Sequence, residues 1–169
     1  MLLARLRFKH IKLKSLVRPH VEYCSSVWDP HTNRNIQKIE AIQRRAARFI
    51  TNNYSRESSV SAMLKEIQLP SLQDRRLNQR IIMMHKIVHN HVDLNLEDYL
   101  KFSTRDSKAV ATRHHNPLTL RIPFSRTNIY HKSFFPNTAK DWNSLAYSQT
   151  SITSPTKFRR TLNVMYEYD

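Results

Sequence analysis

Not one of the 169 residues in this chain is glycine. Average usage near 7% would supply about 12 glycines in a chain of this length, so the absence is a strong compositional bias. It excludes the glycine-rich loops that cradle phosphate groups, and it removes the residue on which tight β-hairpin turns depend. The sequence therefore favours helices, with asparagine taking the left-handed backbone position where a helix ends in one.

Apolar residues recur at helical spacing through most of the first 92 residues and predict about four helical segments. Pro19 is expected to kink or break the first segment, because it lacks a backbone donor and crowds the preceding turn. Ser58 or Ser59 is expected to cap the third segment, and Ser71 with Asp74 has the spacing of a capping box before the fourth. The predicted segments are residues 2–27 with that interruption, 34–51, about 60–69 and 71–90.

The remaining residues have a different character. Charged residues, serine and threonine dominate 93–116, which predicts a linker or exposed loop. Alternating apolar residues from Leu118 to Phe124 predict a strand, and the stretch TNIYHKSFF is the expected partner in a small β-hairpin. Pro136 and Pro155 are expected to open two short C-terminal helices. The predicted fold class is mainly α, with a four-helix domain at 1–92, a linker at 93–116, and a hairpin plus helices at 117–169.

Positive charge is the second strong bias. The chain has 28 Lys and Arg against 13 Asp and Glu, which gives a net charge of +15. Residues 1–50 hold 11 basic and 3 acidic side chains, residues 51–100 hold 6 and 6, and residues 101–169 hold 11 and 4. Such basic regions attract nucleic acid or anionic membrane surfaces. No apolar run approaches the ~20 residues needed to cross a bilayer, and no membrane partner is predicted.

Cys24 is the only cysteine, which excludes an internal disulfide and the usual zinc sites with two or more thiolates. This usage fits a reducing compartment, so we expect the protein in the nucleus or cytoplasm. The first 20 residues carry basic side chains and no acid, which would also suit a mitochondrial presequence, although they lack the usual serine enrichment. Cys24 is interpreted as packed and inert, and the aromatic residues Trp28, Phe134, Phe135 and Trp142 as packing rather than base-stacking groups.

The stretch IQKIEAIQRRAARFI, from Ile36 to Ile50, predicts an amphipathic helix. Its predicted buried arc consists of Ile36, Ile39, Ile42, Ala46, Phe49 and Ile50. Arginines occupy the other faces, and arginine suits phosphate because its planar fork can grip two oxygens at once. A solvated surface without a ligand is the competing interpretation. With basic residues of neighbouring segments, the candidate phosphate contacts are Lys12, Lys14, Arg18, Arg44, Arg45, Arg48, Arg75, Arg76 and Arg80.

Catalytic motifs are not apparent in the sequence. Nucleotidyl transfer with two metal ions needs clustered carboxylates, and only Glu97 and Asp98 are adjacent, at the start of a possible helical turn. His85, His89 and His91 lack a nearby third ligand at a known metal-site spacing, so they are interpreted as partly exposed histidines rather than as a metal site. The sequence therefore predicts no catalytic residue, cofactor or metal ligand in this chain.

Six stretches, taken in order, resemble the carboxyl-terminal part of non-LTR retrotransposon reverse transcriptases of the jockey and CR1 type. They are LVRPHVEYCSSVWDPHT, IQRRAARFI, YSRESSVSAML, LPSLQDRRL, MMHKIVHN and PFSRTNIYHKSFFPNTAKDWNSL. Each stretch is modest alone, but together they run from about Lys14 to Leu162. The sequence departs from the family at Asn52 and His114, where relatives often have glycine, and it has no terminal cysteine knuckle.

The resemblance implies a helical, thumb-like bundle that follows the polymerase palm in a longer polyprotein. It also implies that the palm's paired aspartates, its Mg²⁺ ions and the endonuclease lie before Met1, so that this RNA-directed DNA polymerase fragment is inactive alone. The expected function is binding to the phosphates of an RNA/DNA hybrid or structured RNA, with the palm as a protein partner. The alternative is a structural or protein-interaction module that docks on the palm and binds no nucleic acid.

Overall fold

Helices make up most of the part of the chain that the computed structural model describes, which is residues 8–9, 11–103 and 116–165. A π-helical segment, Leu13–Val17, precedes the first α-helix, and a 3₁₀ turn, Leu96–Asp98, follows the fifth. The fold is therefore mainly α, as predicted. None of the described helices is long and apolar enough to span a bilayer. The α-helices are α1 (Arg18–Glu22), α2 (Ser25–Trp28), α3 (Asn33–Thr51), α4 (Val60–Glu66), α5 (Leu72–Val88), α6 (Asn128–His131), α7 (Phe134–Asn143), α8 (Tyr147–Thr150) and α9 (Pro155–Met165).

Several helix ends follow local signals in the sequence. Asn52 adopts the left-handed conformation, with φ of 53°, and closes α3 without the help of glycine. Ser59 caps α4 by accepting a hydrogen bond from the backbone N–H of Ala62. Ser71 accepts one from the backbone N–H of Asp74 at the start of α5. These predicted ends are confirmed, because each depends on side chains within about one turn of the end.

Pro19 is accommodated without breaking the first helical segment. The π-helical segment precedes it, and the backbone N–H of Arg18 reaches the carbonyl of Leu13 five residues earlier. Pro19 then lies in the first turn of α1, where the missing donor is tolerated. The helix is interrupted instead at Cys24, which has a left-handed backbone conformation with φ of 49°. The thiol of Cys24 is exposed, whereas the sequence predicted a packed thiol.

The predicted β-hairpin is wrong. The stretch expected to form the second strand is helical, since it contains α6 and the start of α7, and Thr127 caps α6 by accepting a hydrogen bond from the backbone N–H of Tyr130. In the first stretch, Leu120 forms an isolated antiparallel bridge with Phe102. The side chain of Asn143 takes the place of a second strand, because it accepts from the N–H of Leu120 at 2.9 Å and donates to its carbonyl at 2.7 Å.

Internal contacts divide the chain into two compact units, an amino-terminal unit, Met1–Leu77, and a carboxyl-terminal unit, Asn78–Asp169. The division falls inside the continuous helix α5, so it does not coincide with a linker. Leu96 and Leu100, in the first part of the predicted linker, are buried. Residues 104–115 of the predicted linker, 93–116, lie outside the described residues, and the predicted three-segment organisation stays a prediction.

The core of the amino-terminal unit joins the π-helical segment, α3 and the chain that leads into α5. Leu13, Ile50 and Leu69 are buried in one cluster, with partly buried apolar residues of α3 and α4 packed around them. Gln43 is also buried, and its amide donates to the carbonyl of Pro70 at 2.7 Å. This polar contact fixes which side of α3 faces the core.

The core of the carboxyl-terminal unit is aromatic. Trp142, Phe158 and Leu162 are fully buried, as predicted, and His85 stacks on Phe158 with ring centroids 4.1 Å apart. His85, His89 and His91 each donate from Nε2 to a backbone carbonyl in the segment 150–153. A carbonyl can only accept, so these rings carry a proton on Nε2. His85 is fully buried, which corrects the prediction of partial exposure.

Acid should destabilise the carboxyl-terminal unit through His85. Burial lowers the pKa of His85, the hydrogen bond to a backbone carbonyl opposes that shift, and the charges of His89 and His91 add to it. The uncharged rings of Trp142 and Phe158 lie beside His85. A histidine whose pKa is lowered contributes stability that is complete above the unfolded value of about 6.5 and is lost as the pH falls below it. We expect the urea midpoint to fall between about pH 7 and pH 5.

The H85Q variant should lose most of this pH dependence, because glutamine keeps an amide donor and does not titrate. H31Q changes an exposed histidine in the amino-terminal unit and should retain the dependence of the unmodified chain. Equal pH dependence in the unmodified chain and in H85Q would show that His85 is not the group responsible.

Candidate nucleic-acid interface

The nine basic residues predicted to contact phosphate fall into two groups in the structure. Four form ion pairs with carboxylates: Arg18, Arg75, Arg76 and Arg80. The other five have no carboxylate within ion-pair distance in the described part of the chain: Lys12, Lys14, Arg44, Arg45 and Arg48. The two groups therefore differ in whether their charge is available to a ligand.

Glu22 forms ion pairs with two of these arginines, Arg18 and Arg75. Arg75 holds it with two hydrogen bonds of 2.6 Å, one from Nε and one from Nη2, and Arg18 Nε lies 3.3 Å from Oε1. Burial acts to raise the pKa of Glu22, but the hydrogen bonds and charges of Arg75 and Arg18 outweigh it and hold that pKa below its ordinary value. Burial and the charge of Arg75 lower the pKa of Arg18. These guanidinium groups hold α1 to the start of α5.

Arg76 is a structural residue. Its side chain is 1% exposed, its Nε donates to Asp29 Oδ1 at 2.8 Å, and its Nη2 lies 3.9 Å from Glu40 Oε1. A buried guanidinium cannot reach a phosphate at the surface, so the prediction for Arg76 is wrong. In the carboxyl-terminal unit, Arg80 Nη2 lies 2.9 Å from Asp141 Oδ2.

The exposed side of α3 carries a stripe of cations. Arg34, Lys38 and Arg45 are all exposed. Their spacing of four and seven residues places them within about 40° of one another around the helix. With a rise of about 1.5 Å per residue, the stripe is about 16 Å long. Arg45 is among the phosphate contacts predicted from the sequence, and Arg34 and Lys38 are not, although their helical spacing relative to Arg45 is a signal that identifies them.

Arg44 and Arg48 flank this stripe and are partly engaged. Arg44 donates to the side chain and the carbonyl of Gln37 at 3.0 and 3.1 Å, and Arg48 donates to the carbonyl of Ser55 at 2.9 Å. Each guanidinium has five N–H donors, so both keep donors for a ligand. Lys14 is exposed on the π-helical segment.

The buried side of α3 differs from the predicted arc. Gln43, Ala47 and Ile50 are its buried residues, whereas Ile42 and Phe49, which were predicted to be inside, are exposed. The hydrogen bond from Gln43 to the chain before α5 explains the difference, because it turns a polar position toward the core. Two large apolar side chains are consequently left on the same side of α3 as the cation stripe.

Ile42 and Phe49 line an open groove of about 340 Å³ that also involves the π-helical segment. Lys9 contacts Phe49 twice, since its Nζ donates to the carbonyl at 2.8 Å and lies 4.4 Å from the ring centroid. Lys9 and Lys12, which precede the π-helical segment, meet Arg45 of α3 at this groove, so these cations and the stripe form one surface. This surface, called the basic face below, consists of Lys9, Lys12, Arg34, Lys38 and Arg45.

Three carboxylates of the amino-terminal unit are paired with arginines and largely shielded from solvent. The side chains of Glu22, Asp29 and Glu40 are only 11%, 16% and 13% exposed. Glu40 additionally accepts hydrogen bonds from the backbone N–H groups that open α5. The positive potential over the basic face is therefore not cancelled by these acids.

Among the described residues, no three His, Cys, Asp or Glu side chains are grouped closely enough to hold a metal ion. No protein-family model matches the sequence, and no curated protein or solved structure matches it either.

Proposed function

We propose that this chain is a thumb-like module of a non-LTR retrotransposon reverse transcriptase, and that it binds nucleic acid through the sugar-phosphate backbone. The sorting of charge in the amino-terminal unit carries the proposal: the shielded carboxylates pair with Arg18, Arg75 and Arg76, and the basic face is left unpaired by them. The ordered resemblance of six sequence stretches to that family supports it. Catalysis and Mg²⁺ would belong to a palm, and the expected setting is the nucleus or cytoplasm.

Backbone binding requires positive charge without groups that read bases. Double-stranded nucleic acid presents about one negative charge per 1.7 Å of its axis, so a cation stripe of about 16 Å reaches several phosphates. Arg45 can grip two phosphate oxygens at once, whereas Lys12 and Lys38 act as flexible point charges. An RNA/DNA hybrid or structured RNA has the regular, closely spaced phosphates that this arrangement fits.

Charge reversal at Lys38 and Arg45 together should weaken binding to a blunt duplex by at least about 100-fold at low salt. Each charge-assisted contact is worth about 1.5–3 kcal/mol, and the loss of two phosphate contacts also reduces the salt slope by about 2. Fluorescence anisotropy with a labelled hybrid measures both quantities. Circular dichroism should show unchanged helicity, because both side chains are exposed.

The matched control is charge reversal at Arg56 and Lys65, which are exposed on the same unit and outside the basic face. It changes net charge by the same amount and should cost less than about tenfold in affinity, since long-range charge is screened by salt. Equal losses in the two double variants would mean that overall charge, and no particular surface, attracts the duplex. If the chain is instead a docking module, the unmodified chain does not bind the duplex, and neither double variant changes the anisotropy signal.

A further inference from the structure

We infer that the groove beside the basic face receives an unpaired nucleobase, so that the preferred ligand is nucleic acid with a single-stranded stretch next to the bound backbone. The inference rests on the proposed function, because it names the class of nucleic acid that the same surface selects. It is based on an apolar groove in the amino-terminal unit that is bordered by three cations, Lys9, Lys12 and Arg45.

The recess is apolar and accessible. Phe49 is 52% exposed, and Leu16 and Ile42 are exposed beside it, while Leu13 and Ile50 connect the groove to the buried core. Exposed apolar surface bordered by charged residues marks an interaction site. The volume of about 340 Å³ lies at the lower end of the range of about 300–1,000 Å³ for ligand pockets, which suits a small planar ring.

The two lysines that line the groove each lie over an aromatic ring. Lys9 Nζ lies 4.4 Å from the Phe49 ring centroid, and Lys12 Nζ lies 4.4 Å from that of Phe8. Arg45 also borders the groove. Proteins that bind single strands combine an aromatic surface for the base with cations for the backbone, because every base has a π-face and a phosphate on each side. Lys9 and Lys12 can turn from ring to phosphate, since lysine has a flexible stem.

The groove has three cations around a space for about one ring, and this combination favours a nucleotide over a peptide. Lys9, Lys12 and Arg45 surround a space for about one ring, and a nucleic-acid strand supplies negative charge on both sides of every base it inserts. An acidic peptide would need one apolar side chain flanked by carboxylates in a particular register. Among the described residues, no polar side chain other than these cations lines the groove, so those residues would hold any base without reading its identity.

The backbone of the groove wall is itself unusual. Leu13, Leu16 and Val17 belong to the π-helical segment, whose wider turn precedes Pro19. Single π-turns within helices occur frequently at functional sites, where the extra residue changes the direction of the side chains. Proline in α1 thus accounts for the conformation of the segment that faces α3 across the groove.

The test compares three labelled probes of equal length, about 12 nucleotides, with the full chain by fluorescence anisotropy. The probes are a single strand, a blunt duplex, and a strand whose central sugars lack bases but keep their phosphates. The single strand should bind at least about fivefold more tightly than the abasic strand, which corresponds to one base–aromatic stack. Phe49→Leu should remove that difference, whereas Tyr54→Leu, an exposed aromatic outside the groove, should leave it unchanged.

The possible outcomes separate this inference from the proposed function. If all three probes bind equally and F49L has no effect, the inference fails and backbone binding stands. If no probe binds at low salt, both fail. If an acidic peptide of alternating Glu and Leu binds the unmodified chain but not F49L, and base removal changes nothing, the groove is a peptide site and the inference is overturned. Should F49L fail to fold, the comparison of intact and abasic strands on the unmodified chain decides the question.

Discussion

Replacing Arg76 with methionine should lower the free energy of unfolding by about 3 kcal/mol. Methionine fills much of the space but removes the charge that faces Asp29 and Glu40. A buried ion pair that loses one partner costs about 3–5 kcal/mol, because the remaining charge is left uncompensated. The lower end of this range applies, because the side chains of Asp29 and Glu40 are 16% and 13% exposed and water can partly solvate their charges. Urea unfolding followed by far-UV circular dichroism measures the change.

Arg45→Met is the matched control, because it makes the same chemical change at an exposed arginine. Its stability should stay within about 0.5 kcal/mol of the unmodified chain, as for most surface substitutions. Under conditions in which both variants are folded, R45M should lose more nucleic-acid affinity than R76M. Equal destabilisation by the two variants would contradict the division of the arginines into structural and available groups.

Trp142→Ala should cost about 3–5 kcal/mol of stability in the carboxyl-terminal unit. The side chain is fully buried, its ring lies 5.9 Å from that of Phe158, and its Nε1 donates to the carbonyl of Leu118 at 2.9 Å. Alanine would remove the apolar contacts, leave a cavity, and deprive the partly buried carbonyl of Leu118 of its donor. Chemical denaturation followed by near-UV circular dichroism reports the loss of this packing.

Trp28→Ala is the corresponding control in the amino-terminal unit. Trp28 is 39% exposed and donates from Nε1 to the carbonyl of Tyr23 at 2.6 Å, within the same turn of chain. We expect a loss of about 1 kcal/mol or less, because a partly exposed ring buries less apolar area. A loss as large as that of W142A would mean that Trp28 belongs to a core, contrary to its exposure.

The parts of the fold that the sequence predicts well depend on short-range chemistry. Asn52 ends α3 by adopting the left-handed backbone conformation, and Ser59 opens α4 by accepting a hydrogen bond from a backbone N–H of the first turn. Phe158 and Leu162 are four residues apart and face the core together, as helical periodicity requires. Such signals are contained within a few residues, so they are present in the sequence before any tertiary contact forms.

Several of the incorrect predictions involve partners that are distant in the chain. Arg76 and Arg45 look alike in sequence, but Arg76 meets Asp29 across 47 residues. The second strand expected beside Leu120 is replaced by the amide of Asn143, 23 residues away. Helical periodicity placed Ile42 and Phe49 inside, and the contact between Gln43 and Pro70 turns the helix instead. No local pattern specifies these pairings, and the groove beside the basic face results from the last of them.

The salt dependence of duplex affinity is the most direct measurement of whether the unpaired cations grip phosphates. Binding of a blunt RNA/DNA hybrid to the unmodified chain is measured from about 50 to 200 mM salt, and log K is plotted against log salt. With about four or five contacts at about −0.9 each, a slope near −4 is predicted. A slope shallower than about −1, or no binding at the lowest salt, would mean that the exposed cations serve solvation and that nucleic acid is not the ligand.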